Sequence, residues 1–201
     1  DGFHLPSREV IEKLFTKKTR AIIYCNPSNP TGTGYTKEEI DMSVYIAKEK
    51  NVVLMCDEVY REFVFVKRPF VSILDYFNVI PQQAILIDSL SKRYSLCGAR
   101  LGILVTLNEE LKNGFAKIAN SRLSGGLVDQ LMAAKMTDVG IEYTQNVQKE
   151  YRLRRDTVFK MLRDIPGVVV CEPEGAFYII AKLPVKSSEE FCIWMLENFR
   201  D

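Results

Sequence analysis

Apolar and polar residues switch between two kinds of pattern through the first two thirds of the chain. Short continuous apolar runs occupy residues 20–24 (Arg-Ala-Ile-Ile-Tyr), 52–56 (Val-Val-Leu-Met-Cys), 84–87 and 101–106 (Leu-Gly-Ile-Leu-Val-Thr), each about the length of a buried strand. Helical spacing separates several of them. Thr36 followed by Glu39 makes a capping box, Ile40, Val44, Ile46 and Ala47 suit the amphipathic helix it opens, and Asn51 closes the segment. Asn108 caps a further helix running toward Ala119. Continuous apolar strands separated by helices predict an α/β fold with a mainly parallel, covered sheet, because a strand buried on both faces has no polar side to show.

The pattern changes after residue 128. Residues 128–164 are helical and highly charged, with one break at Gly140. In the second segment Val147, Tyr151, Val158, Met161 and Leu162 form an inward stripe, and Lys149-Glu-Tyr-Arg-Leu-Arg-Arg-Asp156 reads as a solvated face of mixed charge. Pro166-Gly167 stops that helix. Strand-like runs at 168–171 and 176–183, joined by the turn Glu172-Pro-Glu-Gly175, precede a helix that starts near Ser187 or Ser188. This organisation predicts a large domain over residues 1–140, a connecting helix over 141–165 and the start of a second, α+β domain over 166–201.

The 201 residues suffice for one large domain, or for one domain with part of another. An apolar fraction of 47%, with 11 Phe and 9 Tyr, supplies a substantial core. Lys and Arg number 27 against 26 Asp and Glu, so charge offers no basis for nucleic acid or a membrane as a partner. No apolar stretch approaches a membrane span, and the first residues lack the basic and apolar regions of a signal peptide. Cys25, Cys56, Cys97, Cys171 and Cys192 are odd in number and scattered, which predicts reduced thiols in a cytoplasmic protein. His4 is the single histidine, which argues against His-based metal sites and catalytic triads.

In a parallel sheet the loops that follow the strands gather at the carboxyl edge, where such folds bind ligands. Three strand ends here carry conspicuous polar residues: Asn26 and Asn29, then Asp57 and Tyr60, then Ser89 and Lys92. Each has an ordinary reading. Asn-Pro pairs make turns, Asp57 caps one, Tyr60 packs its ring, and Lys92 is a solvated lysine on a surface turn. Their coincidence on successive strand ends points to a site instead. Arg100, eight residues after Lys92, completes a donor set suited to a pyridine cofactor with a phosphate tail. In such a site an amine forms a Schiff base and a carboxylate keeps the ring nitrogen protonated. A phenol and an amide donate to the ring oxygen, while hydroxyls and a guanidinium hold the phosphate.

The segments Asn26-Pro-Ser-Asn29-Pro-Thr-Gly32, Cys56-Asp57-Glu58-Val-Tyr60 and Ser89-Leu-Ser-Lys92 through Arg100-Leu-Gly102 resemble, in order and spacing, the signatures of the class I/II aminotransferases. These are fold-type I enzymes dependent on pyridoxal 5'-phosphate. Pro173-Glu-Gly-Ala-Phe-Tyr178 resembles the start of that family's small domain. The resemblance implies that Lys92 is the catalytic Schiff-base lysine and proton shuttle, and that Asp57 pairs with the ring nitrogen. It further implies that Tyr60 and Asn29 donate to the ring oxygen, that Asn29 lies near the substrate carboxylate, and that Ser89 and Arg100 bind the phosphate. The Asn29-Pro30 bond is a candidate cis peptide. Implied partners are an amino acid, a 2-oxo acid and a second copy in a homodimer. Ala99 stands where many relatives carry Trp. Family members are much longer, with a glycine-rich phosphate-binding helix start before Asp1 and a carboxylate-binding arginine after Asp201, so the resemblance implies a fragment. The same ring chemistry also serves lyases and synthases, and the same domain serves as a non-catalytic ligand sensor in transcription regulators.

Overall fold

Thr36 and Glu39 satisfy each other's backbone. Thr36 Oγ1 accepts the Glu39 N–H at 3.3 Å and Glu39 Oε2 accepts the Thr36 N–H at 2.7 Å, which starts helix α2 (Lys37–Lys50). Asn51 ends it in the left-handed region at φ 50°. A computed structural model describes residues 2–123 and 125–199, and in it the stripe carrying Ile40, Val44 and Ala47 packs on one face of a four-stranded sheet. That face presents Tyr24, Leu54, Cys56, Ala84 and Leu86, closed below by Ile73, Phe77 and Ile80. Fully burying a large apolar side chain here contributes about 1.5–3 kcal/mol.

The strands are β1 (Ala21–Cys25), β2 (Val53–Asp57), β3 (Ala84–Ser89) and β4 (Gly102–Thr106), adjacent in chain order. β1–β2 and β2–β3 are parallel, while β4 is antiparallel to β3. The sheet is therefore mainly parallel, with an antiparallel edge that an apolar run alone does not distinguish. The reason is the connection. Residues 90–101 hold one helical turn, α3 (Leu90–Arg93), and a 3-10 turn, Cys97–Ala99, both at the carboxyl edge. The chain makes no crossover to the opposite edge, so β4 starts where β3 ends.

The expected cover is complete on one face only. On the other, Ile23 is 69% exposed and Leu104 40%. Helices α4 (Glu109–Asn120), capped by Asn108, and α5 (Leu127–Ala134) contain no buried residue. The chain exposes 13440 Å², against roughly 9,600 Å² for a compact monomer of its mass. A short helix α1 (Arg8–Lys13), not evident in the apolar pattern, packs near α2.

Helix α6 (Ile141–Arg163) follows the break at Gly140. Val147 and Tyr151 from its expected inward stripe join a second cluster with Tyr60, Phe63, Phe65, Ala176 and Phe177. Val158 and Met161 do not, being 43% and 65% exposed. The later strands are shorter than their apolar runs suggest: β5 (Val169–Val170) and β6 (Ala181–Lys182) pair over two residues, ahead of α7 (Ser188–Asn198). Ala176, expected in a strand, instead turns at φ 55°. That turn sends Phe177 and Tyr178 into the aromatic cluster around Tyr60, where ring pairs each add about 0.5–1.5 kcal/mol.

Backbone hydrogen bonds lock this segment to two loops. The Glu174 and Gly175 N–H groups donate to Gly32 O at 2.8 and 2.9 Å, and the Ala176 N–H donates to Phe63 O at 2.8 Å. The Phe65 N–H donates to Glu174 O at 2.8 Å. Arg68 fixes the outer side, pairing with Glu174 and donating to Gly34 O. The approach leaves no room for a methyl group. A Cβ on Gly175 would lie 2.6 Å from Pro27 Cβ and 2.7 Å from Phe63 O. Gly175→Ala is thus expected to lower unfolding free energy by about 1–3 kcal/mol in a denaturant titration. Gly114→Ala, in α4 with nothing within 4 Å of its added Cβ, should raise it by up to about 1 kcal/mol.

Candidate functional site

The parallel register aligns Cys25 with Asp57 and Asp57 with Ile87, so one row crosses the ends of three strands. Ser89 lies two residues further on, opposite Gly102 of β4. Side chains alternate across a sheet, so Asp57, Ile87 and Ser89 emerge on the face away from the α2 core. There they line a cavity of about 300 Å³ together with Val59, Asp88, Ser91, Lys92, Cys97 and Arg100. Four of the six site residues expected from sequence, Asp57, Ser89, Lys92 and Arg100, thus share one cavity.

Ser89 caps α3, its Oγ accepting the Ser91 N–H at 3.0 Å and donating to Leu101 O at 2.9 Å. This ties the strand end to the start of β4 and sets the turn from which Lys92 projects. The Lys92 Nζ lies 5.8 Å from the Tyr60 ring centre and 5.7 Å from that of Phe177. Two aromatic faces thus hold the amine. Arg100 adopts the left-handed conformation at φ 53° and donates from Nη1 to Cys97 O at 2.8 Å. The antiparallel course of β4 brings this guanidinium back to the edge that Lys92 occupies.

Asp57 is half-buried and accepts the Val59 N–H at 3.1 Å. Burial pushes its carboxyl above the ordinary range, the Val59 N–H opposes that, and nearby Asp88 adds to it. Among the described residues it has no ion-pair partner, although Lys92 and Arg100 line the same cavity. Asp88, by contrast, has a cation. Arg93 Nη2 reaches its Oδ2 at 2.6 Å, and Arg93 Nε reaches Glu62 at 3.1 Å. The cavity therefore contains one compensated and one uncompensated carboxylate. Sequence reasoning passed over Asp88, although a charge placed directly after the apolar run 84–87 was a signal for it.

Tyr60 is 2% exposed and lies beside Lys92, outside the cavity lining proper. Its hydroxyl shares a 2.5 Å hydrogen bond with that of Tyr178. Asn29 sits on the exposed side of its loop and is not among the lining residues. Its peptide bond to Pro30 is cis, as is Asn26-Pro27. The neighbouring Asn26 is the buried one, its Oδ1 accepting the Tyr35 N–H at 2.9 Å to hold the loop shut.

Comparison with known proteins bears on this arrangement. The family described as Aminotransferase class I and II matches residues 1–200. An aspartate aminotransferase of Pyrococcus horikoshii is 31% identical over 198 residues, covering 96% of this chain and 49% of that protein. One from Thermotoga maritima is 34% identical over 195 residues, with 96% and 49% covered. Among solved structures, an alanine aminotransferase from Pyrococcus furiosus superposes with a TM-score of 0.86 at 29% identity, over 98% of this chain and 51% of that one. The chain spans about half the length of the curated relatives it matches. With the match running along nearly all of its residues, the chain belongs to the class I and II aminotransferase family.

Proposed function

We propose that the full-length protein is a pyridoxal-phosphate-dependent aminotransferase that moves an amino group between an amino acid and a 2-oxo acid. The observation that carries this reading is the single cavity lined by Asp57, Ser89, Lys92 and Arg100. The donor set fits the cofactor. A half-buried carboxylate with no ion-pair partner suits a protonated ring nitrogen, and a hydroxyl and a guanidinium lining the same cavity suit a phosphate. When bound, pyridoxal phosphate supplies an electron sink for the electrons left at the substrate Cα.

The chain's own groups then divide the work. Asp57 holds the proton on the ring nitrogen, and the pairing in turn favours its ionised form. Ser89 and Arg100 anchor the phosphate, while Tyr60 and Asn29 donate to the ring oxygen, Asn29 also serving the substrate carboxylate. Lys92 Nζ is the covalent attachment point, and once released it carries the proton away from the substrate Cα. Residues 1–140 belong to the cofactor-binding domain, 141–165 connect, and 166–201 begin the small domain. The exposed apolar faces of α4 and α5 support burial against further protein surface, and the full-length protein is assigned as a homodimer.

The test is chemical fixation. Full-length protein with pyridoxal phosphate should show a visible band that borohydride removes, leaving the cofactor covalently on Lys92 by peptide mass analysis. Lys92→Ala should lose the fixation and roughly 10⁴-fold or more in turnover. A Lys92→Ala protein that kept both would sink the reading. Asp57→Asn should retain the fixation yet lose roughly 10²–10³-fold in kcat in a steady-state assay, because the ring nitrogen loses its anionic partner.

A further inference from the structure

The aromatic cluster holds a contact that the donor set above does not use. Tyr178 belongs to the segment that Gly32 and Phe63 hold by backbone hydrogen bonds. Its ring meets that of Tyr60 at 5.4 Å in an edge-to-face arrangement, and the two hydroxyls are hydrogen-bonded. Phe177, one residue earlier, packs its ring against Tyr60 at 5.1 Å and lies 5.7 Å from the Lys92 amine. The pair of residues thus closes the aromatic side of the space in which Lys92 sits.

Tyr60 has one phenolic proton and two directions in which to spend it. If Tyr60 donates to Tyr178, nothing remains for a ligand oxygen. If Tyr178 donates to Tyr60, the Tyr60 proton is free to point elsewhere, and a phenol that accepts a hydrogen bond is a stronger donor. An anionic oxygen near Tyr60 selects the second arrangement, because only that one gives it a donor. Burial, followed by the bond to Tyr178, holds the Tyr60 phenol well above its ordinary range, so it remains a protonated donor near neutral pH.

We propose that Tyr178 is a positioning residue for the amino-transfer reaction, its hydroxyl orienting the Tyr60 proton toward the cofactor's ring oxygen. This rests on the assignment of the cavity as a pyridoxal-phosphate site. Tyr178 stands on the segment that leads into β6 and α7, whereas Tyr60 follows β2. The strength of donation to the ring therefore depends on how this later segment sits against the strand ends.

The measurement is the pH midpoint of the bound cofactor's visible absorbance in the full-length protein. A donor to the ring oxygen stabilises its deprotonated form and lowers that midpoint, so weakening the donor raises it. Tyr178→Phe keeps the ring and removes only the hydroxyl. It should raise the midpoint by roughly 0.5–1 pH unit, in the same direction as Tyr60→Phe and by less. In the Tyr60→Phe background the second substitution should add nothing, since its effect passes through the Tyr60 hydroxyl. A merely structural Tyr178 would lower the melting temperature of Tyr178→Phe and leave its midpoint at the wild-type value. That result, or shifts that simply add, would overturn the inference. If instead the wild-type band does not depend on Lys92, the cofactor assignment itself fails.

Discussion

The close approach of three chain segments at Gly32, Phe63 and Gly175 is the constraint on which the site depends. Loop 26–34, the turn after β2 and the segment 173–178 come from distant parts of the sequence, and they meet through four backbone hydrogen bonds with no space for a β-carbon at Gly175. Gly32 is equally pressed, since its φ of 71° suits glycine and an added Cβ would fall 2.8 Å from Tyr178 O. This junction seats Tyr178 against Tyr60 and Phe177 against the Lys92 amine. Arg68 and Glu174 reinforce it from the surface.

A second constraint comes from the antiparallel β4. A parallel fourth strand would carry Arg100 to the opposite edge, far from the Lys92 turn. By staying on one edge for residues 90–101, the chain sets amine and guanidinium around one cavity within nine residues of sequence. Ser89 does much of this locally, because its hydroxyl caps α3 and bonds the Leu101 carbonyl that begins the return.

Charge in the cavity follows from which carboxylate has a partner. Asp88 is matched by Arg93, which also reaches Glu62, so its charge is spoken for within the fold. Asp57 faces the cavity with a single backbone donor and is pushed toward its neutral form by burial. A cationic ligand group reverses that tendency, which makes this position responsive to what binds.

The strands, the α2 capping box and the order of the candidate residues were legible in the sequence, because each follows from local rules. Apolar runs mark strands, Thr36 and Glu39 start a helix, and spacing puts Asp57, Ser89 and Lys92 at strand ends. The direction of β4 was not legible, since an apolar run reads the same either way. The turn at Ala176 was hidden as well, its strand-like neighbours giving no sign of the packing that bends them toward Tyr60. Nor did the sequence separate Asn29, exposed on its loop, from Asn26, buried beneath it. The sequence by itself determined the α/β class, the family and four of the residues that line the cavity, Asp57, Ser89, Lys92 and Arg100, for these depend on composition and short-range order. Tertiary structure alone decided which aromatic rings surround Lys92 and which tyrosine holds Tyr60, because Phe177 and Tyr178 reach the site from a distant segment, Tyr178 from 118 residues beyond Tyr60, through packing that no local pattern records.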